Sequence, residues 1–326
     1  MGKGQKDLGG FRGYVLSTDP FILWTGDAVN IEPIQKEIRN KRAVFIISIW
    51  WTAETLSRVV RLASQNLYRR KAYPYHKFIF LCNSYAEESV LRKVGLDARF
   101  CHQNATIDEN IFYIQQCEKK YDALYDAQIA EFKRHYLCSN IDRLSFISYI
   151  ESKNFEKKYT HSFERKFQKA HWVNNPFDGF ERSFMSPEKV AIAYNQAKTG
   201  LCLSKIEGAM FASVQYLLCG LPVVNVKNMG GRDFFLDEDV SVLVTANSKS
   251  VAEGVKYLIN SKILPQRIRE LTLQKIYKQR QIYREILMEI FDDLGVNYGG
   301  NDLWDEYFIH KMFKFISYQD VISSIK

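Results

Sequence analysis

The chain has 326 residues, with 45 Lys and Arg against 37 Asp and Glu, a formal net charge of +8, and 46% apolar and 25% charged residues. That balance excludes a disordered or fibrous chain, and the length exceeds what one core needs, so two domains are expected. The surplus positive charge favours an anionic partner (a phosphorylated small molecule, a nucleic acid or an anionic lipid) without choosing among them.

The opening stretch MGKGQKDLGGFRG lacks the apolar core of a signal peptide, and Lys6 stands where a myristoylation motif wants Ser or Thr. The longest apolar run, Ala43–Trp51, is too short to cross a bilayer, so a cytoplasmic chain with at most peripheral membrane contact is expected. A solid apolar run over Ala43–Trp50 predicts a buried parallel strand, and 52–69 has helical spacing. Arg61, Arg69, Arg70, Lys71 and Lys77 surround Tyr68, Tyr73 and Tyr75, a mixture that suits an anionic lipid surface and equally a solvated helix end. Lys77–Cys82 reads as a second buried strand. Ser84 with Glu87 three residues on is a capping box for a helix to Val94. A strand over Ala98–Cys101 runs into His102, Gln103 and Asn104, which are either loop caps or ligand-facing groups.

The segment YDALYDAQIAEFKRHYLCSNIDRL reads as helical, and the domain boundary is placed at its end, near residue 140. Leu144–Ile150, Thr199–Ser204, Leu221–Val226 and Val240–Thr245 read as further buried strands, with a helix over Phe211–Leu218. The charged stretch Lys153–Lys169 reads as a solvated face. Asn174, Asn175 and Asp178 either form turns or line a cleft. A long charged helix is predicted from Pro265 to Asp292, ended by Gly295, and an aromatic terminal helix over Leu303–Ile316. Alternating strands and helices predict an α/β protein with parallel sheets. The six cysteines are scattered and lack a CxxC pair, so neither a disulfide framework nor a zinc site is expected.

Thr199–Phe235 carries the chemistry. A buried strand ends at Ser204, and the turn Lys205-Ile206 leads to Glu207, read as a helix start, followed by Gly208 and Ala209, which leave the backbone open to a ligand. A helix amino terminus there would suit a diphosphate. The helix ends at Gly220. After the next strand, Gly230 and Gly231 allow close approach, and Arg232 offers a planar donor fork for phosphate. Glu207 and Gln215, eight residues apart, would span about 12 Å on a helix, the reach from a sugar to a ribose. Asp237-Glu238-Asp239 precedes a strand, whereas a metal-clamping DxD follows one.

Glu207-x7-Gln215 followed by YLLCGLPVV resembles the carboxy-terminal signature of GT-B glycosyltransferases of the retaining Glu-x7-Glu type. The likeness covers roughly residues 77–255 and is strongest over 204–233. It implies two Rossmann-like α/β domains facing a cleft: an acceptor-side domain over 1–140, a donor domain over 141–300 and a terminal helical segment over 301–326. It also implies sugar transfer from a nucleotide-sugar to an acceptor hydroxyl in surface-glycan synthesis. Glu207 would contact the donor sugar, and His102 would bond the donor or serve as base toward the acceptor. Ser204, Lys205, Gly208, Ala209, Gln215, Gly231, Arg232 and Asn104 would bind the donor. Gln215 stands where the family has Glu. The family's basic pair for the diphosphate is not obvious; Lys153, Lys205 and Arg232 are candidates, Arg232 preferred. Neither metal nor cofactor is implied. The expected partners are a nucleotide-sugar, a glycan or lipid-linked acceptor and an anionic membrane surface, not nucleic acid. A nucleotide-sugar epimerase of the same fold, a basic nucleic-acid-binding protein and an inactive scaffold are the competing readings.

Overall fold

The computed structural model of the chain describes residues 9–150, 157–177, 185–296 and 314–325. The chain divides into two units, Met1–Thr106 with Tyr277–Lys326, and Ile107–Ile276. In chain order the first unit contributes β1 (Gly10–Thr18), β2 (Phe21–Gly26), α1 (Glu32–Glu37), β3 (Ala43–Ser48), α2 (Leu56–Ala72), β4 (His76–Cys82), α3 (Tyr85–Lys93) and β5 (Asp97–Phe100). The second contributes β6 (Tyr121–Asp126), β7 (Leu144–Ile147), α4 (Lys157–Lys166), β8 (His171–Trp172), α5 (Pro187–Asn195), β9 (Ala197–Cys202), α6 (Phe211–Leu218), β10 (Val223–Val226), β11 (Ser241–Val244) and α7 (Ser248–Asn260). α8 (Pro265–Leu294) then leads back to the first unit, which β12 (Lys314–Ser317) and α9 (Tyr318–Ser324) complete.

The first sheet has the order β12-β1-β2-β3-β4-β5, with β2 to β5 parallel and β1 antiparallel to both of its neighbours. Both faces are covered, which is why its central strands are solidly apolar rather than alternating. Phe21, Leu23, Phe45 and Ile47 face a core that includes Val59, Leu62, Leu91 and Val321 from the helices on one side. Ile22, Trp24, Val44 and Ile46 face Tyr283, Leu287, Ile290 and Phe291 from the last turns of α8. Trp24 stacks on Tyr283 with ring centroids 4.3 Å apart.

The second sheet has the order β11-β10-β9-β6-β7-β8 and is parallel throughout. Its first strand in the chain, β6, sits at the centre beside β9. That is the doubly wound order in which connections depart in opposite directions from β6 and β9 and leave a crevice at their carboxyl ends.

Several expectations need correction. The unit boundary falls at Thr106/Ile107 rather than near residue 140, and residues from Tyr277 onward return to the first unit. The cause is β6. Tyr121–Asp126 is a strand, not a helix, and two short 3-10 turns follow it at Glu131–Lys133 and His135–Cys138. Its side chains alternate between the two cores, Leu124 to one and Ala123 and Tyr125 to the other. A short apolar run of this kind cannot be told from a helix by periodicity alone. β1 and β2 lie in a stretch for which no element was anticipated. Of the expected terminal helix, 303–313 lie outside the described residues; Lys314–Ser317 is a strand, and the helix comes after it.

The capping box at Ser84 is half realised. Its hydroxyl accepts the Glu87 amide at 3.0 Å. The Glu87 carboxylate does not return to Ser84; it accepts the amides of Ala53 and Asn83 at 2.9 and 2.8 Å. Glu87 thus joins the loops after β3 and β4 from a fully buried position, where burial raises its pKa. Glu87→Ala strands two buried N–H groups and is expected to lower the unfolding free energy by about 3 kcal/mol, measured by urea denaturation.

Candidate functional site

Three loops meet at the carboxyl ends of β6, β9 and β10. The Tyr125 hydroxyl donates to the Lys133 carbonyl at 2.7 Å and lies 3.3 Å from Ser204 Oγ. The Lys205 amide donates to the Phe132 carbonyl at 3.1 Å, and Arg134 Nε to the Leu203 carbonyl at 2.6 Å. These bonds join the loop after β6 to the loop after β9. The third loop enters through the Glu207 amide, which donates to the Met229 carbonyl at 3.0 Å, and the Met229 amide, which donates to the Lys205 carbonyl at 3.1 Å. Ile206 and Met229 form an isolated parallel bridge.

This pairing corrects the expected helix start. Glu207 follows the Ile206 bridge outside any helix, and α6 begins only at Phe211, after Met210 in a left-handed conformation at φ 49°. Gly208 and Ala209 are buried in the connecting stretch and do not belong to the first helical turn. The end of α6 is as expected, with Gly220 at φ 74° after the cap residue Cys219.

Arg232 departs furthest from its expected role. It is fully buried. Its guanidinium donates to the carbonyls of Ser204 at 3.0 Å and Val226 at 2.5 Å, to Asn225 Oδ1 at 2.6 Å and to Asp233 at 2.8 Å. Four of its five donors are therefore occupied within the protein, so it is a clamp on the ends of β9 and β10 and not an open fork for phosphate. Gly231 is buried beside it, and Lys205 is exposed.

The cation facing Glu207 is Lys133, which the sequence reading did not single out. Its ammonium pairs with the Glu207 carboxylate, and both side chains are nearly buried. Sequence spacing carries no signal for a partner 74 positions away. A second constellation lies at the end of β6. Asp126 Oδ2 accepts the Tyr194 hydroxyl at 2.6 Å, and the Asp126 amide donates to the Tyr216 hydroxyl at 2.6 Å. Gln215 Oε1 lies 3.2 Å from the same Tyr194 hydroxyl. Burial pushes the Asp126 carboxyl up to about 6, against the opposing pull of the Tyr194 hydrogen bond and of Lys133. Gly200 makes room for this arrangement, because a Cβ there would meet the Tyr216 ring at 2.4 Å.

His102 and Asn104 belong to the first unit, whereas the other expected site residues belong to the second. His102 is fully buried, its Nδ1 accepts the Asn104 amide at 3.1 Å, and its own amide donates to Gln279 Oε1 at 2.8 Å. In the neutral ring the proton then sits on Nε2, so the expected role as an accessible base is not what the geometry presents. Asn174 bonds both backbone groups of Ser148, and Asn175 closes an Asx turn with the Phe177 amide; Lys153 and Asp178 lie outside the described residues. A separate cavity of about 330 Å³ opens in the first unit, lined by Arg42, Tyr75, His76, Lys77 and Asp293, but Asp293 already accepts from both Arg42 and Lys77. Among the described residues no three His, Cys, Asp or Glu side chains are grouped to hold a metal ion, and no helix is long and apolar enough to cross a membrane.

No protein-family model matches the sequence, and no curated protein does. Solved structures do match. HepE of Anabaena in complex with UDP is similar over 79% of this chain and 75% of its own, at 13% identity and a TM-score of 0.61. Sucrose-phosphate synthase of Thermosynechococcus elongatus is similar over 82% of this chain and 74% of its own, at 14% identity and a TM-score of 0.60. TarM is similar over 84% of this chain and 55% of its own, at 13% identity and a TM-score of 0.58. At such identities the likeness is one of fold, and with the two parallel sheets it bears out a two-domain Rossmann-like α/β architecture.

The Asp126 carboxyl yields a pH prediction. Its folded-state pKa is raised, so its favourable contribution is present below pH about 4 and is lost as pH rises through about 6. Asp126→Asn, neutral at every pH, should gain in melting temperature relative to the parent chain between pH 4 and 7 and hold that gap above pH 7. A constant gap over the whole range would contradict the raised value.

Proposed function

We propose that the chain is a GT-B glycosyltransferase that moves a sugar from a nucleotide-sugar donor to an acceptor hydroxyl. The observation that carries this reading is the buried Lys133–Glu207 pair at the crevice between β6 and β9. A buried ion pair is a weak source of stability. Placed at the ligand end of a parallel sheet, it is better explained by what it binds. The fold is shared with HepE, whose structures hold UDP in one case and UDP-glucose in another.

In this reading Lys133 meets the negative charge that gathers on the departing diphosphate, and backbone N–H groups of the loops assist it, so transfer runs without a metal. Glu207, held in place by Lys133, accepts hydrogen bonds from hydroxyls of the donor sugar. Gln215, Tyr194 and Asp126 together offer an amide, a phenol and a carboxylate to the ribose diol. Arg232 acts one step back by holding the Ser204 carbonyl and the loop that presents Glu207. The retaining outcome goes with the Glu207-x7-Gln215 pattern. The acceptor side is a surface glycan or lipid-linked acceptor reached from an anionic membrane face, and nucleic acid has no part in it.

A thermal-shift panel of uridine, guanosine, adenosine and cytidine diphosphates should give a clear rise in melting temperature with one of them; no rise with any would reject the reading. Against the nucleotide that binds, the neutral pair Lys133→Gln with Glu207→Gln should lose at least about tenfold in diphosphate affinity. Glu207→Gln alone should keep nucleotide binding and lose about 100-fold in transfer. Conversion of the donor sugar without any acceptor would instead identify an epimerase.

A further inference from the structure

α2 is a 17-residue helix with the sequence LSRVVRLASQNLYRRKA, which contains five cations and no acidic residue. One face buries Val59, Leu62 and Asn66 against the first unit. The other is unusually apolar for a solvent face: Leu56 is 80% exposed, Val60 57%, Leu67 71% and Tyr68 61%. At about 100° per residue, Leu56, Val60 and Leu67 fall within about 40° of one another, so they form one ridge along the helix. Lys71 continues that ridge, while Arg61 and Tyr68 lie together on its flank.

The structure also sorts the cations. Arg58 is engaged with Asp27, and Arg69 lies over the Phe78 ring at 5.9 Å, where burial lowers its pKa. Tyr73 is buried and stacks on His76 at 5.2 Å. These three do not serve the outer face. Arg61, Arg70 and Lys71 are exposed and make no ion pair among the described residues; at about 100° per residue Arg61 and Arg70 stand on opposite flanks of the ridge.

We propose that the outer face of α2 is a docking surface for an anionic lipid bilayer, with Leu56, Val60, Leu67 and Tyr68 entering the headgroup layer and Arg61, Arg70 and Lys71 pairing with lipid phosphates. A helix with an exposed apolar ridge flanked by cations has the composition of an in-plane membrane anchor. A second copy of the chain fits poorly, since a two-fold contact through this ridge would set the same cations against each other. Nucleic acid fits poorly too, because the ridge is aliphatic and offers no row of aromatic faces or amide donors. The proposal rests on the part of the functional reading that brings the chain to a membrane surface, and it is separable from the donor chemistry of the second unit.

The test is co-sedimentation of the full chain with vesicles of phosphatidylcholine containing 30% phosphatidylglycerol, beside pure phosphatidylcholine vesicles. Binding is expected only to the anionic vesicles and should weaken as salt rises. Each cation is worth about fivefold, so the triple variant Arg61→Gln, Arg70→Gln, Lys71→Gln should lose about 100-fold in partitioning. Val60→Ser with Leu67→Ser should lose about tenfold. All five positions are exposed, and unchanged circular dichroism and melting would verify the fold of both variants. Equal binding to neutral vesicles, no binding, or binding that neither variant weakens would overturn the proposal. So would a concentration-dependent dimer that the serine variant dissolves. Diphosphate affinity measured on the same samples should be the same for all three proteins. Vesicle binding without nucleotide binding would reject the donor reading and keep this one, and the converse would reject this one alone.

Discussion

A buried guanidinium sets the shape of the candidate site. Arg232 has given up its hydration entirely, and a cation without water is tolerated only where hydrogen bonds replace that water. Asn225, Asp233 and the carbonyls of Ser204 and Val226 do so. Because these acceptors come from the ends of two adjacent strands and the loop beyond them, one side chain fixes where β9 stops and how the chain leaves β10. Glu207, whose amide donates to the Met229 carbonyl, and Met229 inherit their positions from that clamp.

The Lys133–Glu207 pair is a consequence of the same geometry. Once the loops after β6 and β9 are joined through Tyr125, Phe132 and Leu203, an ammonium from one and a carboxylate from the other are enclosed together. Each would be costly to bury alone, and each is the other's partner. Asp126 sits in the same crevice under the opposite regime. Its hydrogen-bond partner is a phenol, and burial outweighs the pull of that bond and of Lys133 on its titration. Two carboxylates at the ends of neighbouring loops thus have different partners, an ammonium for Glu207 and a phenol for Asp126.

The surplus positive charge has a location as well as a size. Five cations fall on α2, with no anion to balance them on that helix. In the second unit Arg232 is taken up by backbone carbonyls, and Lys133, paired with Glu207, is one charge against that total. A net charge of +8 is therefore a poor guide to the ligand of the crevice and a better guide to the surface of the first unit.

Much of the architecture was legible in the residues. Solid apolar runs mark β3, β4, β9 and β10, because a strand covered on both faces has no polar side to show. The limits of α6 and its glycine stop could be read directly, since local backbone preference decides them. Glu207 stood out for its place after a buried strand. What the residues could not reveal all depends on partners far along the chain. YDALYD is a strand only because β7 and β9 flank it. The first unit closes only when α8 and β12 return to it, with Phe291 and Ile316 packing beside residues from the chain's beginning. Arg232 points inward because acceptors surround it, and Lys133 matters because Glu207 is there. Sequence by itself determined which segments must be buried and where the chain must turn, through short-range sterics and hydrophobic pattern. Tertiary structure alone decided which charges meet, because burial and pairing depend on contacts between residues remote from one another in the chain.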